Sequence, residues 1–122
     1  LHPDKLTGNW NNDSLVMKLT YKQVSFLFAA DIGQEICDGL AEHYKERLKS
    51  TALKVPHHGK NGGGKFIRKV SPQVAVVSVG PSIWGGPSEE MLSKYRSSKI
   101  PLLRTDEKGT IVIKTDGEKV WF

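Results

Sequence analysis

The first thirty residues carry two apolar runs that are typical of β-strands. Apolar and polar side chains alternate in residues 14–21, whereas residues 24–30 are almost continuously apolar. Lys22 and Gln23 alone separate the two runs. Short runs that are rich in β-branched and aromatic residues and joined by two polar residues predict an antiparallel hairpin.

The pattern then changes to a helical period. Apolar residues recur every four positions over residues 32–48, as Ile32, Ile36, Leu40, Tyr44 and Leu48. This spacing predicts an amphipathic helix that begins directly after Asp31. Further along, we expect a short buried strand at residues 52–55, a short helix at 65–70 and an interior strand at 73–80.

The last third of the chain contains one more helix and three short strands. Pro87 and Ser88, followed by two glutamates, indicate a helix start, and the helix should run to about residue 98. Strands are predicted at residues 101–104, 109–115 and 119–122, with turns at 106–109 and 116–117. The order of elements predicts one α/β domain, a mixed sheet with flanking helices.

Three loops follow the predicted central strands, at residues 29–31, 56–59 and 80–87. In open α/β sheets, ligands gather beyond the carboxyl ends of the strands. If these strands are parallel, the loops meet at one edge and bring Asp31 together with His57 and His58. A carboxylate and two imidazoles at one edge indicate a metal site.

Composition narrows the class of protein only a little. The length of 122 residues suits one domain, and the single Cys37 excludes an internal disulfide and a thiolate zinc cluster. The net charge of +5 favours acidic partners without identifying them. No apolar run reaches the ~20 residues needed to span a bilayer. Because Leu1 is not an initiator Met, we expect the chain to begin inside a longer parent or after processing.

A second motif competes with the metal site. Residues 59–65 fit the G-x-x-x-x-G-K pattern of a phosphate-binding loop between a strand and a helix. However, Phe66 occupies the position where Ser or Thr holds Mg²⁺, and the strand at 73–80 has no acidic residue at its end. We therefore expect a pliable rim of glycines rather than a nucleotide site.

Asp31, His57 and His58 could bind Zn²⁺ or Mn²⁺, which activate water in hydrolases. A structural alternative stays open on the residues alone. The paired histidines could be hydrogen-bonded structural residues, and Asp31 could cap the helix that follows it.

Five motifs in the same order carry a resemblance to a known family. They are N-D-S-L-V-x-x-L-x-Y, V-S-F-L-F-x-x-D, L-K-V-P-H-H-G, V-S-V-G and R-T-D-x-x-G-T-I. The chain resembles the metallo-β-lactamase-like domain of ComEC-type DNA-internalisation competence proteins. The resemblance implies the C-terminal half of an αββα metallo-hydrolase fold. It also implies an extracytoplasmic domain on a bacterial membrane channel, or a secreted relative, that degrades one strand of incoming DNA.

The resemblance also assigns roles to individual residues. Asp31 matches the aspartate of the family's T-G-D, and His57 and His58 match its paired histidines, so all three are expected at the divalent metal, Zn²⁺ or Mn²⁺. Asn11 and Asn12 match, more loosely, a stretch in which related hydrolases place a ligand histidine.

The departures from the family pattern concern the metal ligands. Gly86 occupies the histidine position of the family's Y-G-H-P, and Lys60 replaces a serine. The H-x-H-x-D-H motif of the N-terminal half does not occur in this chain. The site would therefore need the parent's N-terminal half for completion.

Two hypotheses follow for the function. In the first, the chain is part of a metal-dependent DNA phosphodiesterase, with Lys60, Lys65 and Arg68 holding backbone phosphates. In the second, it is a catalytically inactive domain that binds nucleic acid or a partner through its basic surface, with Trp84 stacking on a base. Either way, an isolated half of a sandwich should expose a sheet face and form a homodimer.

Overall fold

A computed structural model of the chain describes residues 1–80 and 85–122. Within these residues, seven strands and four α-helices occur in the order β1 Met17–Tyr21, β2 Val24–Phe28, α1 Gln34–Tyr44, β3 Ala52–Lys54, α2 Lys65–Val70, β4 Val74–Val77, α3 Glu89–Ser97, β5 Leu102–Arg104, α4 Thr105–Lys108, β6 Lys114–Thr115 and β7 Val120–Trp121. The predicted mixed α/β fold with flanking helices is confirmed.

The main sheet has five strands in the order β1-β2-β3-β4-β5. The first two strands form the predicted antiparallel hairpin, and every later pairing is parallel. The three crossovers from β2 to β5 step in one direction across the sheet, and right-handed crossovers of this kind place their helices on the same face. Strands β6 and β7 form a separate two-stranded sheet.

The helix-covered face contains the hydrophobic core. Leu27, Leu53 and Ala75 are adjacent in register on β2, β3 and β4, and all three are buried. They belong to the same core cluster as apolar residues of the three crossover helices, which include Leu40, Phe66 and Met91. The four-residue spacing in α1 thus directs its apolar stripe onto the sheet.

The opposite face, which we call the open face, is apolar but largely exposed. Met17, Leu19 and Tyr21 on β1 are paired in register with Phe28, Phe26 and Val24 on β2. The side chains of Met17, Leu19, Tyr21 and Phe28 are all exposed. Ile111 and Ile113 of the C-terminal segment line a cavity of about 250 Å³ against Phe26, Phe28 and Val76, so this segment covers only part of the open face.

The largest differences between the predicted and observed elements concern α1, the turn at 106–109 and the strand at 109–115. Helix α1 begins at Gln34 rather than directly after Asp31, and it ends where Lys45 adopts φ 48° before a 3₁₀ turn over Lys45–Leu48. The predicted turn at 106–109 is the helix α4, because the Arg104 guanidinium binds Asp106 and Glu107 and stabilises a helical turn. Of the predicted strand at 109–115, only Lys114–Thr115 is paired.

Within the described residues, no helix combines the length and the apolar character needed to cross a bilayer.

Candidate functional site

The candidate site lies where β2, β3 and β4 end, at one edge of the sheet. Because these strands are parallel, their carboxyl ends meet, as the sequence predicted. Asp31 follows β2, His57 and His58 follow β3, and Ser78 follows β4. The amide N–H of His57 donates to the carbonyl oxygen of Ala30 at 3.0 Å, which joins the first two loops.

Asp31 lies between two cationic or potentially cationic groups. Its Oδ2 is 3.4 Å from His58 Nε2, and its Oδ1 is 4.0 Å from Lys54 Nζ. Burial lowers the pKa of Lys54, and the negative charge of Asp31 opposes that shift. The Asp31 side chain is 39% exposed, so the carboxylate can also reach a group outside the chain. Asp31 does not cap α1, whose N-cap is Gly33.

His58 presents a free nitrogen to Asp31. Its Nδ1 is 2.8 Å from the carbonyl oxygen of Ser78, and since a carbonyl oxygen only accepts, Nδ1 must carry the proton. In the neutral ring the lone pair is therefore on Nε2, opposite the Asp31 carboxylate. A cation, or a donor from solvent, can lie between two acceptors at this 3.4 Å separation.

His57 has the opposite tautomer, and Asn61 determines it. Asn61 Nδ2 donates to the carbonyl oxygen of Ile32 at 3.2 Å, which fixes the orientation of the side-chain amide. The same nitrogen is 3.0 Å from His57 Nδ1, so Nδ1 is an acceptor. The neutral His57 ring therefore carries its proton on Nε2 and offers a donor, whereas His58 offers an acceptor.

The histidine turn is built from left-handed backbone. His57, His58 and Gly59 have φ of 48°, 52° and 84°. This conformation costs about 1–2 kcal/mol for a residue with a side chain, so tertiary contacts must stabilise it. One such contact is at Gly59, where a Cβ atom would lie 2.5 Å from Pro87 Cβ and only glycine fits.

A cavity of about 730 Å³ opens at this edge of the sheet. Asp31, His57 and His58 line it together with Lys60 and Val79, and Trp10, Asn11, Gly80 and Gly85 complete the described lining. Asn12 is not part of this lining, and its Oδ1 accepts the Gly33 N–H at 3.0 Å, behind the cavity wall. The loosely matched asparagines thus lie at the site, Asn11 at the wall and Asn12 behind it.

The residues fit a divalent metal only in part. An imidazole nitrogen and a carboxylate oxygen bound to one tetrahedral Zn²⁺ at ~2.0–2.2 Å lie roughly 3.3–3.5 Å apart, and the Asp31–His58 pair has this separation. Within residues 1–80 and 85–122, however, no three His, Cys, Asp or Glu side chains come together to hold one ion. Three protein ligands are the usual minimum for a catalytic zinc, so the described residues do not complete a site.

The glycine-rich stretch makes specific contacts at Gly62 and Gly63. Gln34 Oε1 accepts the N–H groups of Gly62 and Gly63 at 3.1 and 3.3 Å. A Cβ atom on Gly62 would lie 2.6 Å from Pro56 Cγ. These amides are occupied by a side-chain oxygen, which supports the prediction that the loop is not a phosphate cradle.

The basic residues differ in their availability. Lys60 is exposed and lines the cavity. Lys65 forms an ion pair with Glu42 on α1, and Arg68 is exposed on α2. Of these three residues, Lys60 alone is part of the described lining of the cavity.

The substituted ligand position is close to the cavity. Gly86 is exposed, and among the described residues a Cβ atom placed on it would meet only Val79 Cγ2, at 3.6 Å. The described residues therefore leave room for a Cβ atom at this position. Trp84, suggested by the sequence as a stacking residue, lies outside the described residues.

Sequence reasoning missed Asn61, Ser78 and Trp10. Asn61 follows the histidine pair by four residues in a glycine-rich stretch, and Ser78 acts through its carbonyl oxygen, which no side-chain pattern can indicate. Trp10 directly precedes Asn11 and Asn12, and the sequence does not show that its side chain is exposed.

Comparison with known proteins gives three similar proteins. ComE operon protein 3 of Bacillus subtilis (strain 168) is 32% identical over 104 residues, covering 83% of this chain and 13% of that protein. Competence protein ComA of Neisseria gonorrhoeae is also 32% identical, covering 83% of the chain and 15% of that protein. Uncharacterized protein YcaI of Escherichia coli (strain K12) is 27% identical, covering 84% and 14%.

These matches show a relationship between this chain and competence proteins. The chain spans 13–15% of the length of these curated relatives. No family model matches the chain, and no solved structure gives a significant match.

Proposed function

We propose that this chain is a domain of a DNA-uptake protein that acts in natural competence. The sequence similarity supports this proposal, because it extends over 83% of the chain in two relatives, one of which is named a competence protein. The substrate on this proposal is DNA, recognised through its phosphate backbone rather than through a particular sequence.

We further propose that the Asp31–His58 edge is one part of a metal-dependent phosphodiesterase site. The observation that carries the proposal is the 3.4 Å separation of Asp31 Oδ2 and His58 Nε2. The Ser78 carbonyl keeps the Nε2 lone pair available, so both atoms are acceptors that a divalent cation would satisfy. Zn²⁺ or Mn²⁺ bound there would supply Lewis acidity.

His57 was expected from the sequence to be a metal ligand, and we propose a narrower role for it. Because Asn61 holds Nδ1, the neutral ring offers Nε2–H as a hydrogen-bond donor. Such a donor suits a phosphate oxygen rather than a cation. Lys60, at the same cavity, would add a positive charge for the backbone, with Lys65 and Arg68 further from the centre.

The remaining ligands must come from residues outside those described. On this proposal the domain is half of an αββα sandwich, and the parent's N-terminal half supplies both the ligands and a second sheet. The open face supports this arrangement, since Leu19 is 59% exposed and Phe28 is 40% exposed on a sheet face rich in apolar residues. The parent would carry a membrane channel, with this domain outside the cytoplasm, or be a secreted relative.

Metal binding tests the site directly. The chain would be titrated with Mn²⁺ and followed by electron paramagnetic resonance, beside Asp31→Ala, His58→Ala and His57→Ala. We expect weak binding that Asp31→Ala and His58→Ala abolish and that His57→Ala retains. Equal binding by all four proteins would contradict the assignment of Asp31 and His58.

A gain of binding provides the second arm of this test. Gly86→His restores an imidazole at a position where the described residues leave room for a Cβ atom, and we expect it to raise the Mn²⁺ affinity at least about tenfold if the cavity is the metal site. Gly39→His, at an exposed position of α1, is the matched control and should leave the affinity unchanged.

Two observations favour a second function, an inactive domain that binds nucleic acid. Among the described residues no group of three candidate ligands occurs, and Gly86 replaces an expected histidine. The two functions can be distinguished by measuring DNA binding over a series of salt concentrations, for the unaltered chain and for Asp31→Ala. DNA binding that Asp31→Ala does not change, in a parent protein without metal-dependent nuclease activity, would favour the inactive domain.

A further inference from the structure

Trp10 is an exposed aromatic residue at the edge of the candidate site. Its side chain is 91% exposed, more than any other large hydrophobic residue among those described. It lines the cavity that also contains Asp31, His57, His58 and Lys60. An indole that is left in water beside a charged cavity has a large apolar surface available for a ligand.

The loop that carries Trp10 is held in place by its own hydrogen bonds. Asn9 Oδ1 accepts the N–H groups of Asn11 and Asn12, both at 3.1 Å, and the Asp13 N–H donates to the Asn9 carbonyl oxygen at 2.8 Å. The Asp13 carboxylate in turn accepts the N–H of Thr7 at 2.7 Å. The indole is therefore presented on an ordered turn, which reduces the entropic cost of binding through it.

This turn is also fixed relative to the site. Asn12 Oδ1 accepts the Gly33 N–H at 3.0 Å, and Gly33 is two residues beyond Asp31. The turn that carries Trp10 is thus attached to the loop that follows Asp31.

We propose that Trp10 is a stacking platform for an unpaired base of single-stranded nucleic acid, a proposal that rests on the DNA function given above. The flat indole binds the face of a base, while Lys60 and the donor on His57 bind the adjoining phosphates. The net charge of +5 complements such a ligand. Bases in a duplex have both faces covered, so the platform selects single strands or frayed ends.

The test measures the contribution of the bases separately from that of the backbone. Fluorescence anisotropy would compare a labelled oligothymidylate of about 12 nucleotides with an abasic oligonucleotide of the same length. The proteins are the full 122-residue chain, Trp10→Ala, Trp10→Tyr and, as a matched exposed tryptophan away from the cavity, Trp121→Ala. Circular dichroism confirms that each variant is folded.

We expect Trp10→Ala to bind oligothymidylate about tenfold more weakly, with its affinity for the abasic strand unchanged. Trp10→Tyr should retain most of the affinity, and Trp121→Ala should match the unaltered chain. Equal loss on both strands would overturn stacking, because the effect would then come from the backbone.

Other outcomes separate this proposal from the function on which it rests. If the unaltered chain and Trp10→Ala bind oligothymidylate equally, stacking is wrong and DNA binding stands. If the unaltered chain binds neither strand, both proposals fail. A loss in Trp10→Ala of binding to anionic phospholipid vesicles, with unchanged oligonucleotide affinity, would overturn stacking and assign Trp10 to a membrane surface.

Discussion

The face of the sheet that carries Leu27, Leu53 and Ala75 is covered by three helices, whereas the open face is largely in contact with solvent. Both faces are apolar, and they alternate along the same strands. Strand composition therefore does not decide which face is covered. The direction of the crossovers decides it, because all three helices connect strands that follow one another in a single direction across the sheet.

The largest expected difference between the two faces is in core stability. Leu27 is fully buried, so Leu27→Ala should lower the free energy of unfolding by about 2–5 kcal/mol, since it removes buried methyl groups and leaves a cavity. Leu19→Ala, on the neighbouring strand but on the open face, should cost less than about 1 kcal/mol. Urea denaturation measures both, and equal losses would show that the open face is packed in solution.

Self-association tests the open face itself. The exposed apolar side chains should bring two copies of this chain together as a homodimer, and Leu19→Glu should weaken that association at least about tenfold by placing a carboxylate in the contact. Ser97→Glu, exposed on α3, is the control and should have no effect. Light scattering over a concentration series that finds a monomer throughout would contradict the prediction.

Substitution of Tyr95 measures the free-energy cost of burying a hydroxyl group on the covered face. It is fully buried, and within the described residues its hydroxyl has no hydrogen-bond partner. Burial also raises the pKa of this hydroxyl. Tyr95→Phe should therefore raise the free energy of unfolding by about 1 kcal/mol.

The matched control for that measurement is Tyr44→Phe. The Tyr44 hydroxyl donates to the carbonyl oxygen of Leu1 at 2.9 Å, so its removal should lower stability by about 1 kcal/mol. A loss of stability in both variants would indicate that Tyr95 has a partner in solution.

The smallest effect is expected at Lys54, a charged residue in register with Phe28 and Val76 on the open face. Burial lowers its pKa, so folding disfavours the ammonium form. Lys54→Met should raise the free energy of unfolding by less than about 1 kcal/mol near neutral pH.

The pH dependence follows from the sign of that shift. Because the folded chain binds the Lys54 proton less tightly than the unfolded chain does, stability of the unaltered protein rises as pH passes through the lowered pKa. The advantage of Lys54→Met should therefore shrink as pH approaches about 10, and a constant difference in thermal melts would contradict this account.

Local patterns predicted much of the fold and the edge where the site lies. The four-residue spacing located α1, and the order of strands placed the loops of Asp31 and His57 together. The turn expected at 106–109 is instead the single helical turn of α4, in which Arg104 binds Asp106 and Glu107, and the polar composition of this stretch does not distinguish the two conformations.

The different tautomers of His57 and His58 could not be predicted from the sequence. Sequence reasoning treated His57 and His58 as equivalent, and nothing in the letters distinguishes them. Their difference comes from Asn61 and from the carbonyl oxygen of Ser78, two groups brought there by separate elements of the fold.

The single direction of the crossovers also bears on how the chain folds as it is synthesised. Phe26 pairs with Ala52, Ala52 with Val74, and Ala75 with Leu102, so each parallel pairing closes a loop of about 25 residues. Each strand can join the growing edge soon after it emerges from the ribosome, and no strand has to wait for a later one to be inserted between it and its neighbour. The sheet thus grows by terminal addition: the loops of Asp31 and His57 can meet once β3 has joined β2, and the Ser78 carbonyl that orients His58 arrives later, with β4.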